Sequence, residues 1–561
     1  MSSSNLDSLD QHQQSILIII QSNSNQLKLK LSQSQNQILI SPITKITNKN
    51  SLHQRIHQKF HSISSKLKSV NKFNYQIKIN YLDILNSHLI HQDRHQIQIL
   101  ALNRKKSSKK IFNLIGSLEN SISLSHAQKW VESLLFNAYE AQGVPRHRRI
   151  LVISNPFSGS GKASKISSDT LEPILKASPA QFEIISTTHP GHAAQIAQEI
   201  NIHDFNVVAC ISGDGLLHEF LNGLGRRPDA GHALKKLSLA SIPAGTGNAL
   251  ATNHLGPKDY HRTCLATLNL LKGKTVPLDI CSVTQLPSDS SEQPTRILSF
   301  LSTSFGLIAD LDIGTEHLRW MGQARFIVGF IWGALINRRR LVRLDLQIIE
   351  SDKKIIENKF QSLRSIDLVP QDQTNQTNSA SDADADTNLA LPPLKFGDIR
   401  TEIELGPDGH SSHGWFTIQD QITTFYSGTL PFMASSLLQF PAKIPGDGSI
   451  DLLIHRSPNR WRTLKCIDGA DKGKTFKNVD YEFFKTKAFR LTPNPTPLPK
   501  NTSKNQNLKN SSFKTSPSYI VVDGELIPYK PIQVEIHDKL ANTLTLTGSR
   551  LGLVGIPDKL L

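Results

Sequence analysis

The chain has 561 residues, which is too long for a single hydrophobic core, so we expect two or three domains. Its 38% hydrophobic and 20% charged residues are typical of a globular protein that also carries polar, unstructured segments. The net charge of +16 predicts an anionic partner, such as nucleotide phosphate or an acidic membrane surface. We expect no nucleic-acid partner, because the usual recognition motifs do not occur.

The four cysteines are far apart and follow neither disulfide nor zinc spacing, which predicts a reduced, intracellular protein. The apolar run at residues 16–20 is too short for a signal sequence, and the one at residues 327–336 is about half a membrane span. We therefore expect a cytoplasmic protein that contacts membranes peripherally. The basic run at residues 104–110 could contact anionic lipid, although a solvated hairpin tip explains it as well.

The first part of the chain is predicted to be a β module. Residues 1–15 are rich in Ser, Gln and Asp and are expected to be disordered. Short segments that alternate apolar and polar residues follow up to residue 102, as in antiparallel strands with one solvated face. Residues 125–135 then form an amphipathic helix that buries Trp130. Strands followed by one such helix resemble a pleckstrin-homology-like module, which we assign to residues 16–141.

Strands and helices alternate in residues 147–282, and this βαβ order predicts a parallel, doubly wound, Rossmann-like sheet. The strands are predicted near residues 150–154, 182–186, 207–211 and 237–242, and the helices near residues 161–176, 191–200 and 216–224. Residues 283–555 show alternating, turn-punctuated segments instead, which predict a mainly antiparallel β-sandwich domain. Two polar stretches in it, residues 369–393 and 493–516, are expected to be disordered insertions.

The turn Gly213-Asp214-Gly215 lies between an apolar strand and an amphipathic helix. In an open α/β sheet, ligands bind at this position, beyond the carboxyl end of a strand and beside a helix N-terminus. The glycines allow a phosphate to approach the backbone, and the carboxylate can hold a divalent metal or accept a hydroxyl proton. A simple helix cap by Asp214 is the alternative.

Three further loops follow predicted strands, at residues 154–162, 187–194 and 242–251. The first is rich in glycine but is neither a Walker A loop, because Pro156 and Ala163 replace the required residues, nor a dinucleotide fingerprint, because Ser164 replaces the third glycine. Its backbone N–H groups can still bind an anion. All these loops should meet at the carboxyl edge of one sheet, so together they predict a phosphate site.

Three of these loops carry a resemblance. In order along the chain, they resemble the nucleotide-binding motifs of the diacylglycerol/sphingosine lipid-kinase family. The motifs are Asn155-Pro156 with its glycines, Ser212-Gly213-Asp214-Gly215 and Pro243-Ala244-Gly245-Thr246-Gly247-Asn248. Residues 305–326, 441–451 and 523–526 look like those of sphingoid long-chain-base kinases within this family. The resemblance covers residues 147–555 apart from the insertions.

The resemblance implies an ATP-dependent kinase that converts sphingosine, sphinganine or phytosphingosine to the 1-phosphate, with Mg²⁺. It makes Asp214 the catalytic carboxylate, acting as base or through magnesium, and Asp312 the ligand of the amino head group. No direct side-chain cluster for the metal is apparent, so Mg²⁺ is assigned to Asp214 and Asp523. The residues implied for ATP binding are Asn155, Pro156, Phe157, Thr187, Ser212, Gly213, Glu219, Ala244, Gly245, Thr246, Arg319, Arg325, Asp523, Gly524 and Glu525.

Several alternatives stay open. Ceramide or diacylglycerol could be the phosphate acceptor instead. The protein could also be a non-catalytic lipid-binding scaffold rather than an enzyme. Glu219 could be a surface residue, and Asp523-Gly524 could be only a hairpin turn. The lipid tail is expected to contact the apolar region around Leu307 and Trp332. The sequence leaves open whether the chain forms a homodimer.

Overall fold

The structure is a computed structural model. It describes residues 15–22, 25–34, 36–42, 77–90, 95–104, 111–157, 161–287, 293–315, 318, 324–336, 338–368, 390–404, 411, 413–456, 459–465, 469–495 and 519–549. The predicted N-terminal disorder, most of the basic run at 104–110, most of both insertions and Arg319 lie outside these residues. The chain divides into two compact units, of which the first comprises residues 1–150, 164–183 and 262–274.

The first unit contains a seven-stranded sheet in which neighbouring strands pair antiparallel in the order β4-β3-β2-β1-β7-β6-β5. The strands are β1 (Ser15–Ser22), β2 (Asn25–Ser34), β3 (Gln37–Pro42), β4 (Ile77–Asn80), β5 (Ile84–Leu89), β6 (Gln96–Leu102) and β7 (Ile111–Leu118). Helix α1 (Leu124–Ala138) follows, capped by Ser123, and buries Trp130 and Leu134 in the core of this sheet. The predicted strands and helix are therefore present.

Two pieces of the predicted nucleotide-binding stretch belong to this first unit. They include α2 (Ala163–Ile166), α3 (Glu172–Lys176) and α8 (Thr263–Lys272). The buried Arg148 guanidinium donates to the carbonyl oxygen of Leu270 at 2.8 Å, and Lys272 Nζ donates to that of Ala138 at 2.7 Å. Both side chains thus satisfy backbone carbonyl groups near helix ends, as buried cations require.

The second unit contains the parallel strands, whose bounds agree with the predicted ones within a residue. They are β8 (Arg149–Ser154), β9 (Gln181–Ser186), β10 (Val207–Ser212) and β11 (Ser238–Pro243). The helices that accompany them here are α4 (His192–Glu199), α5 (Asp214–Gly225), α6 (Ala230–Lys236) and α7 (Ala249–Leu255). All residues of β10 and β11 are buried, because helices cover both faces of the sheet there. This burial explains why the two strands are largely continuous apolar runs.

Most of the strands from residue 274 onward continue this same sheet. They are β12 (Lys274–Gln285), β13 (Thr295–Ser299), β14 (Ser302–Gly306), β15 (Arg340–Glu350), β16 (Phe416–Ile422), β17 (Thr424–Gly428), β20 (Ile450–His455), β21 (Tyr481–Pro493), β22 (Ile520–Val522), β23 (Glu525–Ile527) and β24 (Ile532–Thr545). Strands β18 (Phe432–Ala434) and β19 (Leu437–Leu438) pair only with each other. Helices α9 (Leu307–Gly314), α10 (Ala324–Ile336), α11 (Lys353–Leu368) and α12 (Arg460–Lys465) interrupt them.

Strand β24 joins the two predicted domains. Its first residues pair antiparallel with β21, and Asn542 and Thr543 pair in parallel with Ser238 and Leu239 of β11. The result is a mixed sheet of 15 strands, in the order β23-β22-β14-β17-β20-β21-β24-β11-β10-β8-β9, with β12, β13, β15 and β16 as branches. The predicted parallel and antiparallel regions are both present, but they share one sheet. Among the described residues, no helix is long and apolar enough to cross a bilayer.

Candidate functional site

The carboxyl ends of four parallel strands meet at one edge of the sheet. Thr187 N donates to Ser154 O at 2.8 Å, Asn155 N to Ile211 O at 3.4 Å, and Ala244 N to Ser212 O at 3.1 Å. Each of the predicted loops therefore begins beside its neighbour, as expected for parallel strands in register. Of the predicted ATP residues, this edge brings together Asn155, Thr187, Ser212 and Ala244.

The turn after β8 is shaped by Asn155. Its side-chain oxygen accepts the N–H of Phe157 at 2.9 Å, which closes a local turn. Phe157 is 81% exposed, so its predicted place in an ATP pocket rests on contact with a bound ligand rather than on packing within the protein. Asn155 and Pro156 are half-buried at the strand end.

The turns that carry Gly213 and Gly245 are pressed against each other. A Cβ atom on Gly213 would lie 2.6 Å from the carbonyl oxygen of Gly247, and one on Gly245 would lie 2.5 Å from Gly213 Cα. No other residue fits either position without moving the backbone. Asp214 N donates to Gly247 O at 3.2 Å, which completes the contact between the two turns.

The buried carboxylate of Asp214 caps a helix other than its own. Its two oxygens accept the N–H groups of Ala249 at 2.6 Å and Leu250 at 3.1 Å, at the beginning of α7. Burial raises the pKa of Asp214 to about 6, the two backbone hydrogen bonds lower it, and the charge of Asp523 raises it further. A carboxylate with a pKa near neutrality is well matched to accept a proton at physiological pH.

Glu219 binds the other neighbouring helix. Its Oε1 accepts the N–H of Ala193 at 2.7 Å and that of Ala194 at 3.4 Å, in the first turn of α4. The side chain therefore fixes the helix that follows the Thr187 loop. Glu219 was predicted to bind ATP. Both of its contacts are with backbone N–H groups, so in this structure it supports the site by holding α4.

Asp523 is more completely bonded than the sequence indicated. Its Oδ1 accepts hydrogen bonds from Ser299 Oγ, Leu301 N and Ser302 N, and its Oδ2 accepts from Phe300 N and His218 Nδ1, all at 2.6–3.0 Å. A carboxylate has about four acceptor positions, so these five donors leave none for a metal ion. The predicted magnesium contact of Asp523 does not fit this geometry.

Gly524 and Glu525 complete the hairpin between β22 and β23. Gly524 has a φ of +87°, which favours glycine, and Asp523 itself has a φ of +51°. Glu525 is exposed, and its Oε1 lies 2.7 Å from the position that a Cβ atom on Gly215 would occupy. The Glu525 carboxylate therefore faces the turn that carries Asp214.

The predicted head-group residue, Asp312, lies in the last turn of α9. Burial raises its pKa to about 7, and the nearby charge of Arg325 lowers it. Arg325 is buried at the beginning of α10 and donates to Thr315 O at 3.3 Å. Arg319, the other arginine predicted to bind ATP, lies outside the described residues.

Tyr426 links the two acidic sites and was missed in the sequence. Burial raises the pKa of this β17 phenol, and the negative charges of Asp312 and Asp523 raise it further. The charge of Asp523 also acts on Asp214. The contacts give the same neighbourhood: Asp523 accepts the N–H of Ser302 at the start of β14, Ser304 of β14 pairs with Tyr426, and α9 with Asp312 follows β14 directly. In the sequence, Tyr426 is only an aromatic residue in an apolar strand. That pattern is typical of any hydrophobic core and does not indicate a functional site.

A cavity of about 240 Å³ lies between α9 and α10. Its apolar walls include Leu307, Leu311 and Trp332, and Asp310 and Arg340 also line it. Arg340 pairs with Asp310 at 2.6 Å. Leu307 and Trp332, around which the lipid tail was predicted to bind, therefore both line this cavity.

Residues 149–283 match the family model of the diacylglycerol kinase catalytic domain. The chain is similar to Sphingoid long chain base kinase 5 of Saccharomyces cerevisiae, with 30% identity over 76% of this chain and 63% of that protein. It is 29% identical to Sphingoid long chain base kinase 4 of Schizosaccharomyces pombe, over 75% of this chain and 80% of that protein.

Sphingosine kinase 1 of Arabidopsis thaliana is 27% identical over 62% of this chain and 65% of its own length. The chain thus spans less than two thirds of the S. cerevisiae and A. thaliana relatives. The resemblance that the glycine-containing motifs predicted is confirmed.

Proposed function

We propose that this protein, whose residues 149–283 are a diacylglycerol kinase catalytic domain, is an ATP-dependent kinase that phosphorylates the primary hydroxyl of sphingoid bases. The observation that carries the proposal is a series of contacts from Asp214 to the helix of Asp312. His218, one turn after Asp214 on α5, contacts Asp523, which accepts the N–H of Ser302 at the start of β14, and β14 leads directly into α9. The names of the three relatives agree with this substrate class.

ATP would bind at the carboxyl edge of the parallel strands. The backbone N–H groups of the glycine-containing turns face this edge and suit phosphate oxygens. Thr246 and Gly524 of the predicted set lie on one of these turns and on the hairpin, respectively. Asp214 then accepts the proton of the lipid hydroxyl as that oxygen attacks the γ-phosphorus and the bond to the β-phosphate oxygen breaks.

The acidic residues partly fit a magnesium ion. No group of three His, Cys, Asp or Glu residues in the described part of the chain could hold a metal alone. Mg²⁺ usually binds one or two carboxylates together with substrate phosphates, and the Glu525 carboxylate lies against Gly215, next to Asp214 in the chain. We therefore propose Glu525, and not Asp523, as the protein ligand of the ion, and Asp214 as the base. The ion would neutralise charge on the phosphates.

Asp312 is the reason to prefer a sphingoid base to ceramide or diacylglycerol. A carboxylate with a pKa of about 7 is strongly desolvated, so a bound ammonium group would recover much of the lost solvation. Ceramide and diacylglycerol have no cation to offer. The same half-buried carboxylate would then gain no ammonium partner in the complex, and only the nearby charge of Arg325 would offset its desolvation.

Turnover of a lipid panel tests the proposal. Purified full-length protein with radiolabelled ATP and Mg²⁺ should phosphorylate sphinganine and phytosphingosine, and ceramide and diacylglycerol should give at least about 100-fold less product. A matched reaction with Asp204→Asn, an exposed surface aspartate, controls for the effect of substitution itself. Turnover of diacylglycerol alone would contradict the assignment.

Helix α10 supports peripheral membrane contact. Ile327, Val328, Ile331 and Trp332 are each more than 40% exposed on its outer face. The adjacent helix α12 adds Trp461, 65% exposed, together with the exposed basic side chains Arg460 and Lys465. An apolar face beside cations and tryptophan is complementary to an anionic bilayer surface, where the substrate lipid resides.

We predict that Ile327→Glu/Val328→Glu weakens binding to phosphatidylserine-containing vesicles by at least about tenfold, because two apolar side chains leave the membrane interface. Co-sedimentation measures this binding, and turnover of detergent-dispersed sphinganine should stay within about threefold of the unmodified protein. Ile355→Glu is the control, since Ile355 is 52% exposed on α11. Equal vesicle binding by both variants would contradict a membrane role for α10.

We also propose that the seven antiparallel strands and α1 form a pleckstrin-homology-like module, supported by the buried Trp130 between helix and sheet. This proposal includes the predicted domain boundaries, 16–141, 147–282 and 283–555. It also includes a β-sandwich in the last of these regions. The antiparallel strands around Phe425 and Phe489, whose rings lie 5.1 Å apart, support it.

A further inference from the structure

His218 lies one helical turn after Asp214 and reaches the hairpin. Its Nδ1 is 2.9 Å from Asp523 Oδ2, and the two side chains are only 12% and 0% exposed. An ionised carboxylate only accepts hydrogen bonds, so Nδ1 carries the proton and donates it. Nδ1 donates in the same way whether the ring is neutral or charged.

Asn222, one further turn along α5, fixes His218 from the other side. Its Nδ2 donates to His218 O at 2.9 Å and lies 3.2 Å from the ring Nε2. The same amide pairs with both backbone groups of Leu298, donating at 3.0 Å and accepting at 2.8 Å. Both Nδ2 hydrogens are thus used by carbonyl oxygens, so Asn222 only packs against Nε2, and the imidazole is held through Nδ1, on a helix that is itself tied to β13.

The Asp523 side chain anchors the hairpin. The residue itself adopts a left-handed φ of +51°, which is uncommon outside glycine. Its carboxylate accepts three backbone N–H groups, from Phe300, Leu301 and Ser302, which hold it from the β14 side. Within these contacts, His218 supplies the hydrogen bond that comes from the helix carrying Asp214.

We propose that His218 is a positioning residue: through Asp523 it holds the hairpin so that the Glu525 carboxylate stays against the Asp214 turn. His218 touches neither reacting group. Its contribution is to keep the Glu525 carboxylate, the proposed magnesium ligand, close to the turn that carries Asp214. The inference rests on the proposed kinase function, and it assigns to Asp523 a structural role in place of the predicted direct one.

Three substitutions at this position test the proposal. Asn places an amide N–H where Nδ1 stands, because both nitrogens follow Cγ directly. Gln carries its amide one bond further and misplaces the donor, and Leu has none. We expect kcat/KM for ATP to stay within about threefold for His218→Asn and to fall by about 100-fold for His218→Gln and His218→Leu, as for a catalytic group displaced by about 1 Å.

A double-mutant cycle separates positioning from general loss of structure. If His218 acts through Glu525, His218→Gln should cost less than about threefold in a Glu525→Gln background. Thermal unfolding of every variant identifies those that fold. Equal activity of the Asn and Gln variants, or a full 100-fold cost in both backgrounds, would overturn the proposal. Failure of the proposed kinase function is distinguishable, because the unmodified protein would then phosphorylate no lipid.

Discussion

Replacing Asp214 with Asn should lower kcat for a sphingoid base by about a thousandfold, because an amide cannot accept the hydroxyl proton. The residue lies buried between the two glycine turns, where no other described carboxylate contacts Ala249 and Leu250. A radiolabelled assay with sphinganine measures the loss, and Asp204→Asn serves as the control. Activity within tenfold of the unmodified protein would remove Asp214 from the chemistry.

The same substitution should also destabilise the protein. Both Asp214 oxygens accept backbone N–H groups, and asparagine has only one oxygen. One donor of α7 would face an NH₂ group, which costs roughly 1–3 kcal/mol. Activity must therefore be measured well below the melting temperature of the variant, and thermal unfolding followed by circular dichroism defines that range.

The pH dependence follows from the raised pKa of Asp214, which is about 6. The ionised form is the base, so kcat should rise with pH through this range and become constant above it. In Asp214→Asn the residual activity should lose this acid limb. An unchanged limb in the variant would assign the titration to another group.

Asp312→Asn should lower kcat/KM for sphinganine by about 100-fold, because a charge-assisted hydrogen bond to the ammonium group is lost. The asparagine keeps the shape and one acceptor, so ATP binding should not change. The substitution should also narrow the gap between sphinganine and ceramide, and the lipid panel measures both effects. If the variant kept the original ratio of sphinganine to ceramide turnover, Asp312 would not be the residue that recognises the head group.

Asp312→Asn should lower activity but raise the thermal stability of the folded protein at high pH. Folding raises the pKa of Asp312 from 3.8 to about 7, so the folded state binds the proton more tightly than the unfolded state. The favourable contribution of the protonated group is present at low pH and is lost as pH rises through about 7. Asp312→Asn should therefore gain thermal stability relative to the unmodified protein between pH 5.5 and pH 8.5, as scanning calorimetry at both values would show.

Local patterns in the sequence were sufficient for the parallel half of the second unit. The apolar runs before Asn155, Thr187, Asp214 and Ala244 are strands with bounds close to those predicted. Parallel strands end on the same side of a sheet, so the meeting of these loops followed from the order of the elements alone. The helix around Trp130 was likewise determined by its spacing of apolar residues.

Local sequence patterns were enough to assign each functional residue to a strand, turn or helix, because hydrophobic periodicity and glycine turns act over a few residues. The partners of these residues became apparent from the packed fold alone. His218 and Asp523 meet across 305 positions, and β24 pairs with β11 from the other end of the chain. Such contacts arise when whole elements pack, and no local pattern specifies which distant donor will satisfy a buried carboxylate.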